Sequence, residues 1–217
     1  MIFITSDTHG EIERFDDKQY KQVKRGDTLI ILGDFGFIWK NSKEQKKYLK
    51  KIAKMPFRTL FIDGLNEDFE TLSEFETTDF FGAKASEIVK DKVFYIHRGE
   101  IFELDDAKIL CFGGTDNFEF DLYSDKYMPV QSDFDNCMIN LEKHNFNVDY
   151  ILTHIPSGNI SRFINLGSYT MSAQMDFFDT LESKVTYKKW YFGSIHQDKY
   201  VSPKVQSVYT DVKLLGL

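Results

Sequence analysis

Five side chains able to hold a divalent cation each follow a short apolar run. Ile2-Phe3-Ile4 leads into Asp7 and His9. Thr28-Leu29-Ile30-Ile31-Leu32 leads into Gly33-Asp34. Tyr150-Ile151-Leu152 leads into Thr153-His154, and Trp190-Tyr191-Phe192 into Gly193-Ser194-Ile195-His196. Two carboxylates and three imidazoles are the nitrogen and oxygen donors that a divalent metal takes. Asp7 and His9 are two apart just past a strand, so an extended loop turns both to one ion. Gly33 lets the backbone turn and leaves the Asp34 carboxylate at the rim, placed to bridge two ions. Taken alone, His154 and His196 leave two readings open, ligand or hydrogen-bonded core histidine; the joint arrangement favours ligands. His97 and His144 lack strand-end partners of this kind and read as structural.

The elements that must position these residues alternate in the first half of the chain. Strand 2–5 precedes a polar helix around 11–24. Strand 28–32 precedes a helix at about 42–54, and strand 59–63 a short helix at about 67–75. Such βα alternation predicts a mostly parallel sheet. From about residue 92 the texture changes. Val93–Ile96, Ile101–Leu104 and Lys108–Phe112 are separated by Arg98-Gly99 and Asp105-Asp106, which predicts antiparallel hairpins. Helices near 132–144 and 170–183 lead to strands 149–153 and 188–192, with Val201 and Val205–Tyr209 as short closing strands. Two sheets packed face to face with helices outside satisfy this order. Ligands collect beyond the carboxyl ends of strands in α/β sheets, where the five candidate residues fall.

Read in order, Asp-x-His, Gly-Asp, a turn of Gly-Asn-His type, Thr-His and Gly-His-x-His resemble the calcineurin-like metallophosphoesterases. The similarity spans nearly the whole chain. It includes Leu32-Gly33-Asp34-Phe35-Gly36-Phe37-Ile38-Trp39, Ile62-Asp63-Gly64, Gly113-Gly114, Ile151-Leu152-Thr153-His154 and Gly193-x-x-His196-Gln197-Asp198-Lys199. The resemblance implies an α/β fold, an αββα sandwich of two mixed β-sheets flanked by helices, with a two-metal site between the sheets. It implies a first metal position of Asp7, His9, Asp34 and His196, all present. The second position would share Asp34 and add His154, an Asn and a further His. Here the turn reads Gly64-Leu65-Asn66-Glu67, which puts Leu65 at the Asn ligand and Asn66 at the catalytic His. A one-residue slip would make Asn66 the ligand and leave Glu67 at the His position. Ser194 replaces the first His of the last motif.

These departures carry chemical consequences. Leu65 supplies no donor and Ser194 only a neutral hydroxyl, so the second ion is expected to be weak or absent. Asn66 donates a hydrogen bond but transfers no proton at neutral pH, and general acid catalysis is worth about 10²–10⁴-fold. The expectation is one divalent ion (Mn, Fe, Zn, Ni and Mg are not distinguished) in a degenerate, largely inactive phosphoesterase that binds a protein partner or a phosphorylated small ligand. The alternative is a live, divergent phosphomonoester or phosphodiester hydrolase. Asp63, Glu67, Asp116, Glu119, Asp121 and Asp125 stand near the altered turn or after Gly113-Gly114. They read as solvated loop acids, with a substitute metal carboxylate as the rarer alternative. No phosphate-binding glycine loop and no nucleophile elbow competes.

Composition sets the remaining bounds. The chain has 217 residues, 42% apolar and 28% charged, enough for one well-buried domain over 1–217. A net charge of −7 argues against nucleic acid or anionic membrane as a general partner. Cys111 and Cys137 lack paired spacing and fit buried thiols in a reducing cytosol. With no leader and no span-length apolar run, a cytoplasmic location is expected. Lys40, Lys43, Lys46, Lys47, Lys50, Lys51 and Lys54 fall on one helix face, opposite Tyr48, Leu49, Ile52 and Ala53. They read as a solvated face or a basic docking stripe.

Overall fold

The structure, a computed structural model, describes residues 1–40, 42–115, 128–164 and 172–217. Asp116, Glu119, Asp121 and Asp125 lie outside the described residues, as do positions 170 and 171 at the expected start of the last helix.

Among the described residues, thirteen strands form two mixed sheets with five α-helices on their outer faces. The first sheet holds β1 (Ile2–Thr5), β2 (Thr28–Leu32), β3 (Arg58–Ile62), β4 (Thr77–Phe80), β5 (Ala83–Val89), β6 (Val93–Ile96) and β13 (Lys213–Leu214), in the order β13-β1-β2-β3-β6-β5-β4. The second holds β7 (Glu100–Leu104), β8 (Ala107–Phe112), β9 (Tyr150–Thr153), β10 (Lys189–Phe192), β11 (Lys199–Ser202) and β12 (Val205–Ser207), in the order β11-β12-β10-β9-β8-β7. In both, the central strands are parallel and the edges antiparallel.

Side-chain alternation with period two explains the layering. Ile2, Ile4, Ile30, Leu32, Leu60 and Ile62 meet Phe102, Ile109, Cys111, Leu152 and Tyr191 between the sheets. Phe3, Leu29, Ile31 and Phe61 point outward, onto Leu49 and Ile52 of α1 (Lys43–Ala53) and Leu72 of α2 (Phe69–Ser73). On the far side Phe112, Ile151 and Trp190 meet Cys137 and Leu141 of α3 (Gln131–Lys143), Ile160 of α4 (Gly158–Phe163), and Phe178 and Leu181 of α5 (Ala173–Lys184). Strands buried on both faces read as continuous apolar runs, which is why the sequence displays them. Both cysteines are buried and free.

Two sequence expectations are corrected. Residues 11–24 form no α-helix but two 3-10 turns, Ile12–Asp16 and Lys18–Gln22. Between them Asp17 is extended (ψ 151°) and its side chain caps Gln19 N–H, a local bond that competes with helix continuation. Arg98-Gly99 is no hairpin turn. β6 pairs with β3 and β5 in the first sheet while β7 pairs with β8 in the second, so the segment crosses between sheets. Arg98 turns inward and pairs with Asp63 at 2.6 Å. Asp105-Asp106 does make a hairpin, with both residues at positive φ (51° and 59°), as a type I′ turn requires. The sequence reading also omitted β4, β5, α4 and β13, which carry short or mixed patterns.

Candidate metal centre

The carboxyl ends of β1, β2, β9 and β10 meet at one edge of the sandwich. Asp7 N–H donates to Gly33 O, His9 N–H to Asp34 O, and Gly193 N–H to His154 O. Two bonds tie the sheets together: His154 Nδ1 to Leu32 O at 3.0 Å and Ser194 N–H to Asp7 Oδ2 at 3.2 Å. Gly33 has φ +91°, and a Cβ there would lie 2.1 Å from His154 Nδ1, so only glycine lets the two strand ends approach. Asp7, His9, Asp34, Ser194 and His196 all take positive φ between 47° and 59°. Such conformations cost about 1–3 kcal/mol each and concentrate at functional sites.

One ligand atom from each of Asp7, His9, Asp34 and His196 lies within 4.8 Å of all the others. His9 Nε2 and His196 Nε2 are 3.1 Å apart. His196 Nε2 is 3.4 Å from Asp7 Oδ1, and His9 Nδ1 is 3.7 Å from Asp34 Oδ2. Ligands about 2.0–2.2 Å from one ion stand roughly 3–3.5 Å from each other. Asp7 is 1% exposed, yet its Oδ1 has no hydrogen-bond partner. A buried carboxylate oxygen left unpaired is costly in a dry protein and is placed for a cation. The donor set is therefore one that could hold a metal ion.

Asp34 separates two unequal sides. Oδ2 faces His9 and accepts from Asn66 Nδ2 at 2.9 Å. Oδ1 faces the buried His154 Nε2 at 3.8 Å and accepts two backbone N–H groups, from Leu65 at 2.5 Å and Asn66 at 2.9 Å. A carboxylate oxygen offers about two lone-pair sites, so the His154 side of Asp34 is already filled. His154 adjoins Asp34 but is not one of the four residues whose ligand atoms are all within 4.8 Å of one another. The Asn66 amide reaches only as far as Asp34 and His9 Nδ1, the latter at 3.2 Å. Burial alone would raise the Asp34 carboxyl, but His154 and the N–H groups of Asn66 and Leu65 outweigh it and hold the group below the usual carboxylate range.

The two nearby acids that the structure describes are not solvated, a further correction. Glu67 is 1% exposed and accepts Phe35 N–H at 2.6 Å and Gly64 N–H at 2.7 Å. It clamps the Asp34 turn to the Gly64 turn, and burial, then Asp34, pushes its carboxyl well above the ordinary value. Asp63 is fully buried and accepts from Tyr95 Oη and from Arg98 Nε and Nη2. Both acids are bonded within the fold, and neither belongs to the group of four whose ligand atoms cluster. His97 bonds Ser86 Oγ at 2.9 Å and His144 caps α3.

Arg14 escaped the sequence reading. Its guanidinium donates to Ser6 O, Asp7 O and Tyr209 O, and it lies 5.5 Å from the Tyr209 ring. Tyr209 stacks on His196 with centroids 5.0 Å apart. One side chain thus braces both ends of the ligand cluster. Its only sequence signal was a basic residue soon after Asp7-x-His9.

Protons compete with a cation for these ligands. The neighbouring Asp7 carboxylate raises His196 above the ordinary imidazole value, against its partial burial. Burial disfavours charge on His154, but Asp34 and Asp7 outweigh it and raise that group too. Both raised imidazoles stabilise the cation-free fold below the unfolded value of about 6.5. That contribution is lost as pH rises through their higher folded values. Cation binding runs the opposite way, because His196 must first release its proton. The Tm increase produced by Mn²⁺ is therefore expected to grow from about pH 6 to about pH 8, measured by paired thermal melts. A shift that shrinks over that range contradicts His196 as a ligand.

No family model and no curated protein matches the chain. Among solved structures it is similar to a protein of unknown function, AQ665, from Aquifex aeolicus. The match has 21% identity over 71% of this chain and 80% of that one, with a TM-score of 0.37. Among the described residues no helix is long and apolar enough to cross a membrane.

Proposed function

We propose that the chain has the metallophosphoesterase fold its motifs resemble and acts as a degenerate member: a one-cation binding protein with little or no phosphoester turnover. The observation that supports this reading is the asymmetry about Asp34. On the Oδ2 side stand His9, His196 and Asp7 Oδ1, a buried oxygen that makes no hydrogen bond and faces His196 Nε2 at 3.4 Å. On the Oδ1 side stands His154, and two backbone N–H groups occupy the oxygen.

A divalent cation held by Asp7, His9, Asp34 and His196 supplies a Lewis-acid charge for an anionic oxygen of a phosphorylated ligand. The chain's own groups then orient that ligand. Asn66 sits half in solvent against Asp34 and His9, a neutral donor with no proton to give a leaving oxygen. Leu65 presents no ligand atom, and Ser194 is engaged through its backbone N–H on Asp7. The site holds its ligand and lacks the acid that would cleave it.

Elemental analysis of protein loaded with Mn²⁺ and desalted is expected to give about one ion per chain. Turnover of a chromogenic phosphodiester by the same sample is expected at background. Two tightly held ions per chain overturn the reading.

A further inference from the structure

The densest unpaired charge outside the metal centre lies on α1. Lys43, Lys46, Lys47, Lys50, Lys51 and Lys54 line one open concavity of about 460 Å³ on the solvent side of the helix. Lys40 is exposed just before it. Lys51 pairs with Asp16 at 2.7 Å, while Lys40, Lys43, Lys46, Lys47, Lys50 and Lys54 make no ion pair among the described residues. The stripe works against its own helix. Lys43–Lys47, Lys46–Lys50, Lys47–Lys51 and Lys50–Lys54 are like charges four apart, each destabilising. The opposite face is fixed in the core by Gln45, Leu49 and Ile52, so the helix cannot turn its lysines elsewhere.

We infer that this stripe docks an acidic segment of a partner protein. Three observations select that partner. The net charge is −7, so without these seven lysines the rest of the chain stands at −14. A long nucleic acid would overrun a stripe about 16 Å long onto repelling surface, whereas a compact acidic segment matches it. The stripe has no free aromatic platform for bases, because the Tyr48 ring packs on Phe37 and Trp39 and its hydroxyl bonds Glu44. The apolar side of α1 is buried, which leaves nothing to insert into a lipid surface.

The test is fluorescence anisotropy of a labelled oligoglutamate about as long as α1, at about 0.15 M ionic strength, against the whole chain. Saturable binding is expected, weakened about tenfold or more in Lys46→Glu/Lys47→Glu/Lys50→Glu, as several modest exposed charge pairs compound. Lys90→Glu/Lys184→Glu/Lys204→Glu makes the same change in net charge away from the stripe and is expected to bind as the native chain does. Equal loss in both variants, or no binding by the native chain, overturns the inference. So does tighter binding of an oligouridylate than of the oligoglutamate, which assigns the stripe to nucleic acid. Concentration-dependent dimers that vanish in the first variant also overturn it, because the occupant is then a second copy.

Discussion

Replacing Leu65→Asn, Asn66→His and Ser194→His together is expected to raise phosphodiester turnover in Mn²⁺ by about 10²-fold or more over the native chain. The outcome depends on which interaction wins at Asp34 Oδ1. In the native chain a second ion must displace N–H donors from Leu65 and Asn66. Hydrogen bonds to a charged group are each worth about 1.5–3 kcal/mol. In return the ion gains only Asp34 and His154. With Asn at 65 and His at 194 it gains two further ligands, and the exchange becomes favourable. His at 66 adds the proton donor that Asn66 lacks. Steady-state rates and elemental analysis check both parts: turnover rises and the ion count moves from about one to about two. Native turnover equal to that of the triple variant would falsify the degenerate reading.

Asp34→Ala is expected to abolish cation binding, and Asp34→Asn to reduce it more than the roughly 10–100-fold that follows loss of a mere supporting residue. The two variants separate binding from folding. Alanine leaves Leu65 N–H, Asn66 N–H and the Asn66 amide without their acceptor; a fully buried orphan costs about 1–3 kcal/mol, and these half-buried or exposed donors cost less because water reaches them. Asparagine keeps a carbonyl oxygen for the backbone donors and removes the charge. Its Tm without cation is therefore expected to stay nearer the native value than that of the alanine variant, while Mn²⁺ raises the Tm of neither. Calorimetric titration and thermal melts read the two effects apart. Undiminished binding in Asp34→Asn removes Asp34 from the site.

The central strands were legible because their residues are buried on both faces. That leaves an uninterrupted apolar run such as Thr28–Leu32 or Tyr150–Thr153 with a polar residue at its end. β4 and β5 lie toward an edge, where Thr77-Thr78-Asp79 and Lys84 face outward and dilute the pattern. The assignment of β6 and β7 to different sheets was hidden for another reason. Local spacing at Arg98-Gly99 suits a hairpin, whereas the strand partners, β3 and β5 for β6 and β8 for β7, are long-range and leave no local mark.

For the site, residue type and order alone determined the candidate ligands Asp7, His9, Asp34, His154 and His196, since few side chains bind divalent cations and each follows a strand. Sequence also determined that Leu65, Asn66 and Ser194 bring no strong ligand or acid. Tertiary structure decided the rest. It gathered four of the five into one cluster, left Asp7 Oδ1 bare, filled Asp34 Oδ1 with backbone N–H groups, and committed Asp63 and Glu67 to Arg98, Tyr95 and two turns. The physical reason is that a backbone N–H is the same at every residue but proline. Which acid it meets depends on how distant turns pack, and that leaves no mark in residue type.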